Sequence, residues 1–366
     1  MGRSCHPGAR LSWRETVPIG GVESICYGVV DLAASTRFYD DFGLKPFRRT
    51  ADETVYRLEE GSRVILRHID DPRLPAHHYE GSGVRETIFG VDSPEELESY
   101  AARIGVDREV RQSDDGQAIH FLSDCGIPLG LRVWTRRKVV YSPDPVNAPD
   151  NIKRLNQHRR WRVRAEPKTI NHIVWRTKDF DASFAFFRDR LDFRMSDYQL
   201  NAGVFGRPPG VNQHHVIYFQ KFDALGPPPW SPGFDHVAFG VEDIDEIYAG
   251  WNYMERRGYK NPLSGVGRHR IASALFCYFD APCGGMAEYG ADTDYLDDSW
   301  VPRIWEASFG GFMWTSRVLP FLPEEVEWKV NFDQSGLPKG AVPEKRVPSP
   351  ELKKEADQQP SIPVVG

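Results

Sequence analysis

Three residues in the second half of this 366-residue chain could act together on a metal: His172, His236 and Glu288. Two imidazole nitrogens and one carboxylate oxygen on one face of a first-row cation leave the opposite face open, the donor set of non-haem Fe(II) sites that take up O₂. Each residue lies in a segment that reads as a β-strand: His172 in TINHIVWRT, His236 in GFDHVAFGV and Glu288 in GGMAEYG. Such a set works only if the fold brings three separate strands side by side.

An internal repeat supplies those strands. The segment GVESICYGVVDLAASTRFYDDFGL from Gly21 is similar to KTINHIVWRTKDFDASFAFFRDRLDF from Lys168. Each is an apolar strand, an Asp, then a helix with an aromatic pair, Phe38 and Tyr39 answering to Phe186 and Phe187. A second match joins VRETIFGVDSPEELESYAARIG from Val84 to FDHVAFGVEDIDEIYAGWNYMERRGY from Phe234. In both, an alternating strand ends on FGV and an Asp or Ser stands where a helix N-cap belongs. Leu97/Tyr100/Ala101 and Ile247/Trp251/Met254 recur at helical spacing. The chain therefore reads as α+β, four βαβββ modules in two pairs.

Laying the first half on the second puts Ser24 opposite His172, Glu86 opposite His236 and Arg132 opposite Glu288. The same fold positions recur without the donor set, so histidine there is not a requirement of folding. A buried Glu86–Arg132 ion pair is the expected replacement, holding the strands of the first half together.

The run GVGRHRIASALFCYFDAPCGGMAEYGADTDYL resembles the fingerprint of type I extradiol ring-cleavage dioxygenases of the vicinal oxygen chelate superfamily. Gly267, His269, Tyr278, Pro282, Gly284 and Glu288 fall at the fingerprint's places, and Cys277 stands where a larger residue is usual. The resemblance covers about residues 20 to 300. It implies two vicinal-oxygen-chelate domains, each a curved mixed sheet enclosing a cavity. By it, His172, His236 and Glu288 are iron ligands and the first half is a degenerate copy. In NQHHVIYF it makes His215 the acid-base histidine, and strand alternation turns His215 away from its rival His214, expected to be partly exposed or to sit behind the site. His269 and Tyr278 match the pair beside the bound ring. The implied activity is Fe(II)-dependent cleavage of a catechol-type ring with O₂ as co-substrate, Fe(II) ahead of Mn(II), by a homo-oligomer. The competing readings are a glyoxalase-like isomerase or lyase, a dioxygenase opening a para-hydroxylated ring, and a binding module without catalysis. Ile271 and Ala272 predict a drier pocket than biphenyl-type substrates meet; of Arg268 and Arg270, which flank His269, one could meet a substrate carboxylate, and a surface role is the expected reading.

The boundaries that follow are an N-terminal extension over 1–19, a metal-free domain over 20–135, a linker over 136–166, a catalytic domain over 167–300, and a C-terminal segment with a loosely ordered tail over 301–366. The basic, Pro-rich linker reads as a solvated face. The tail is too poor in apolar residues to offset its ordering entropy. A formal net charge of −6 supplies no basic face for nucleic acid. Five cysteines without a CxxC pair fit a reducing compartment, and Cys277 and Cys283 read as buried small hydrophobes. No stretch approaches the roughly 20 apolar residues of a membrane span, so the expected location is the cytoplasm.

Overall fold

The computed structural model describes residues 18–75, 81–224, 232–261, 264–319 and 330–331. Residues 1–17 of the expected N-terminal extension and most of the expected tail lie outside the described residues, and Ile19, placed in that extension, already belongs to the first strand. Four βαβββ modules follow one another. The first has β1 (Ile19–Val29), α1 (Leu32–Phe42), β2 (Pro46–Arg49), β3 (Glu53–Arg57) and β4 (Arg63–His68). The second has β5 (Gly83–Val91), α2 (Pro94–Ile104), β6 (Arg111–Gln112), β7 (Ala118–Leu122) and β8 (Pro128–Val133). The third has β9 (Thr169–Thr177), α3 (Phe180–Leu191), β10 (Arg194–Gln199), β11 (Gly203–Arg207) and β12 (Ile217–Lys221). The fourth has β13 (Gly233–Gly240), α4 (Ile244–Glu255), β14 (Val266–Arg268), β15 (Leu275–Asp280) and β16 (Met286–Ala291). Beyond them lie β17 (Arg303–Trp305), α5 (Ala307–Gly311), β18 (Trp314–Thr315) and β19 (Val330–Asn331).

The helices begin where the sequence places a capping side chain. Asp31, Ser93, Asp179 and Asp243 each accept a hydrogen bond from the backbone N–H three residues on, satisfying one of the orphan donors of the first turn. Two mixed sheets result, in the orders β2-β3-β4-β1-β5-β8-β7-β6 and β18-β14-β15-β16-β13-β9-β12-β11-β10-β17-β19. At the centre of each, the first strands of two modules pair antiparallel, β1 with β5 and β9 with β13. One apolar core runs through both halves. Phe42 of α1 stacks on Tyr289 of β16 at 4.0 Å between ring centroids, and the Tyr289 hydroxyl donates to the Phe42 carbonyl.

Strand register corrects the expected correspondence of the halves at one position. In the second sheet Ala238 lies opposite both His172 and Glu288; in the first, Ile88 lies opposite Ser24 and Gly130. Ser24 and Glu86 do answer to His172 and His236, but Gly130 rather than Arg132 answers to Glu288. A Cβ at Gly130 would come within 2.9 Å of the Ile119 carbonyl oxygen, so that place has no room for a ligand side chain. The expected Glu86–Arg132 pair does not form. Glu86 bonds Nδ1 of His120 at 2.7 Å, and Arg132 turns outward to Asp115.

The linker's charge run is also not simply a solvated face. Arg160 and Arg162 both reach the carboxylate of Glu242, and Arg162 is only 17% exposed in its side chain. Among the described residues, no helix is long and apolar enough to cross a membrane.

Candidate metal centre

β9, β13 and β16 are neighbours in the second sheet, so His172, His236 and Glu288 project from three adjacent strands onto one face. Nε2 of His172 lies 3.3 Å from Nε2 of His236, and Oε2 of Glu288 lies 3.4 Å from the first and 3.1 Å from the second. Ligand atoms about 2.1 Å from one cation and mutually cis lie roughly 3 Å apart, so the triangle suits one first-row metal. Oε2 of Glu288 is buried and accepts no hydrogen bond, although two ring nitrogens stand within ion-pair distance. A buried carboxylate oxygen in that position is costly unless something fills the convergence point. The donor set therefore fits a metal.

The surroundings prepare the donors. Nδ1 of His236 lies 2.5 Å from Oδ1 of Asp235, which anchors that ring nitrogen and leaves Nε2 for the centre. Burial alone would lower the His236 pKa, but Asp235 and Glu288 lift it to about 9. Burial would raise the Glu288 carboxyl, yet the two imidazoles hold it at about 2. His172 is pushed down by burial against the opposing pull of Glu288.

The remaining expected residues gather around this centre. The His215 ring lies 4.1 Å from that of His172, centroid to centroid, and burial together with the neighbouring histidines holds its pKa well below the usual histidine range. His214 and His215 precede β12, so a bend rather than strand alternation separates their side chains. His214 is 1% exposed, which removes the partly exposed reading and leaves it behind the site. Nδ1 of His269 bonds the Gly311 carbonyl at 2.5 Å, and its Nε2 lies 3.1 Å from the Tyr278 hydroxyl. The Tyr278 ring stands 5.1 Å from that of His236.

An apolar cluster separate from the main core includes Val174, Phe205, Tyr218, Ile271, Ala272 and Trp305. Ile271 and Ala272, the two residues expected to dry the pocket, are both buried in this cluster. Arg270 is not a free surface residue, since it donates to the carbonyls of Phe309 and Phe312 and lies over the Phe309 ring. Arg268 bonds Ser273 and Asp292. Sequence reasoning missed Asp197, Trp305 and Gly311, which hold His214 and His269. No motif marks them, because their contacts exist only once β17 and α5 have packed onto the second sheet.

Residues 169–289 match the family model described as the Glyoxalase/Bleomycin resistance protein/Dioxygenase superfamily. The chain thus carries a domain of that superfamily, with the mixed α+β modules the sequence resemblance implied. Metapyrocatechase 2 of Cupriavidus necator is 26% identical over 320 residues, which cover 84% of this chain and 93% of that protein. An iron-dependent extradiol dioxygenase of Rhodococcus jostii (strain RHA1) is 30% identical over 147 residues, 37% of this chain and 47% of that one. The crystal structure of BphC, a halotolerant catechol dioxygenase, superposes with a TM-score of 0.64 at 16% identity, covering 84% of this chain and 98% of that one. At that identity the superposition establishes the fold alone.

Proposed function

We propose that this chain is an Fe(II)-dependent extradiol dioxygenase that opens the ring of a catechol-type substrate. The observation that supports this best is the convergence of His172, His236 and Glu288 on one point with the His215 ring beside them. These three residues would hold the iron. Bound there, the metal would supply Lewis-acid and redox chemistry toward a vicinal diol and O₂.

The chain's own groups handle the protons. His215 takes one proton from a substrate hydroxyl at Nε2, its Nδ1 being engaged with His214, and returns it later to a departing oxygen. Tyr278 and His269, already bonded to each other, meet the ring oxygens from the other side. Val174, Phe205 and Ile271 keep water from the ring. In this reading residues 167–300 carry the chemistry and 20–135 serve as scaffold, since Ser24, Glu86 and Gly130 offer no second donor set. A glyoxalase-like isomerase, which draws carboxylate ligands from more than one module, would need one there. Cys26, Cys125, Cys277 and Cys283 are free thiols, which suits a reducing cell interior.

The test is oxygen uptake by the Fe(II)-loaded chain offered a panel of catechols, hydroquinones and gentisate-type acids under otherwise anaerobic handling. Stoichiometric uptake with vicinal diols, giving a ring-opened product, is the expected result. Uptake confined to para-hydroxylated rings, or turnover of a substrate without oxygen consumption, overturns the proposal.

A further inference from the structure

One buried carboxylate links His215 to a strand from the C-terminal segment. Asp197, 1% exposed, receives the Arg303 amide at 2.8 Å on Oδ1, and Trp305 Nε1 at 2.8 Å and His214 Nε2 at 3.1 Å on Oδ2. The far nitrogen of His214, Nδ1, lies 3.1 Å from Nδ1 of His215. We propose that Asp197 is a positioning residue that acts through His214 to fix the tautomer and ring orientation of His215. The inference rests on the acid-base role proposed for His215.

The direction of each hydrogen bond follows from what the partners can do. The Arg303 amide and the Trp305 indole can only donate, and an ionised carboxylate can only accept. Asp197 therefore accepts from Nε2–H of His214, which leaves a lone pair on His214 Nδ1. That lone pair accepts from Nδ1–H of His215, and the basic lone pair of His215 is then left on Nε2. A ring held at one nitrogen by a buried, oriented partner presents its other nitrogen in one place and one protonation form, which is what a proton-transfer group needs. Arg303 and Trp305 belong to β17, which pairs with β10 beside Asp197, so the segment after residue 300 helps set the orientation of a residue in the site.

A purely structural role, tying β10 to β17, would leave the His215 proton unassigned, so the decisive readout is the proton itself. The full chain, labelled with ¹⁵N-histidine and loaded with diamagnetic Zn(II), is read by long-range ¹H–¹⁵N NMR near neutral pH. The expected spectrum has the proton of His214 on Nε2 and that of His215 on Nδ1. In Asp197→Leu the His215 ring loses its single tautomer, kcat of the iron enzyme falls about 10–100-fold, the scale for losing a partner that orients a reactive imidazole, and KM and metal content stay near wild type. His214→Phe behaves likewise, and His214→Asn, whose Oδ1 can stand in for Nδ1, recovers part of the loss. A wild-type His215 with its proton on Nε2 overturns the proposal whether or not the variants fold, as does an Asp197→Leu enzyme with unchanged tautomer and kcat. Full activity in His215→Gln beside the expected wild-type tautomers would instead overturn the acid-base role and leave the hydrogen-bond chain standing.

Discussion

Nε2 of His172 and Nε2 of His236 face each other at 3.3 Å, two ring nitrogens at hydrogen-bond distance with a buried carboxylate oxygen closing the triangle. Two imidazoles can share one proton, but the Glu288 oxygen still lacks a hydrogen bond, and a single cation satisfies all three lone pairs at once.

Replacing His172, His236 or Glu288 with Ala is therefore expected to abolish iron retention. Metal analysis after desalting should give about one iron per wild-type chain and close to none in each variant. Added Fe(II) should raise the melting temperature of wild type and not that of Glu288→Ala, because a ligand stabilises only the state that binds it. A variant that keeps stoichiometric iron and full activity removes the assignment.

For His215 the expected pattern is the reverse, retained metal and lost rate. His215→Gln should keep its iron while kcat falls by about 10²–10⁴, the range for losing a general acid-base group. Loss of iron in that variant would show that His215 is a ligand.

The strands, the helix caps and the three donor residues were legible because each writes a local pattern: alternation, an Asp or Ser before a helix, His or Glu in place of an apolar residue. The Arg132 assignment failed for a reason of period. Side chains alternate every two residues, so a shift of two keeps every residue on its face, and the pattern cannot tell position 130 from 132. Register decides it: His120 pairs with Gly130 and so stands beside Glu86, whereas Arg132 pairs one rung away with Ala118. Asp197 was illegible for a different reason. Its partners His214, Arg303 and Trp305 come from two distant segments, and an Asp in a strand signals nothing until they meet.

In the first half, Glu86 and His120 hold β5 to β7 across β8 where the second half has His236 and Tyr278. Glu86→Ala should strand His120 and cost about 1–3 kcal/mol, the range for a lost partner in a largely buried hydrogen bond. Chemical denaturation should show that loss while iron content and KM stay at wild-type values. If Glu86→Ala is as stable as wild type but binds substrate or iron poorly, the first half is part of the site.

Acid stability tests the attachment of the linker. Glu242 has a side chain only 4% exposed and is approached by Arg160, Arg162 and Lys168, while the Ser142 amide donates to it at 3.2 Å. Burial alone would raise its carboxyl, but Arg162, the Ser142 amide and Lys168 lower it from 4.5 to about 2. A carboxyl depressed in the folded state contributes stability that is fully present above its unfolded pKa and is lost as pH falls toward the folded one. The window is thus about pH 4.5 down to about 2, and the contribution is at most about 3 kcal/mol, less where water screens the half-exposed Arg160. Glu242→Gln has no proton to gain over that window, so its stability deficit measured by urea unfolding should be largest at pH 7 and shrink steadily as the pH is lowered through 4 toward 3. A deficit that stays constant from pH 7 to 3 would mean that the linker is held by packing and not by these charges.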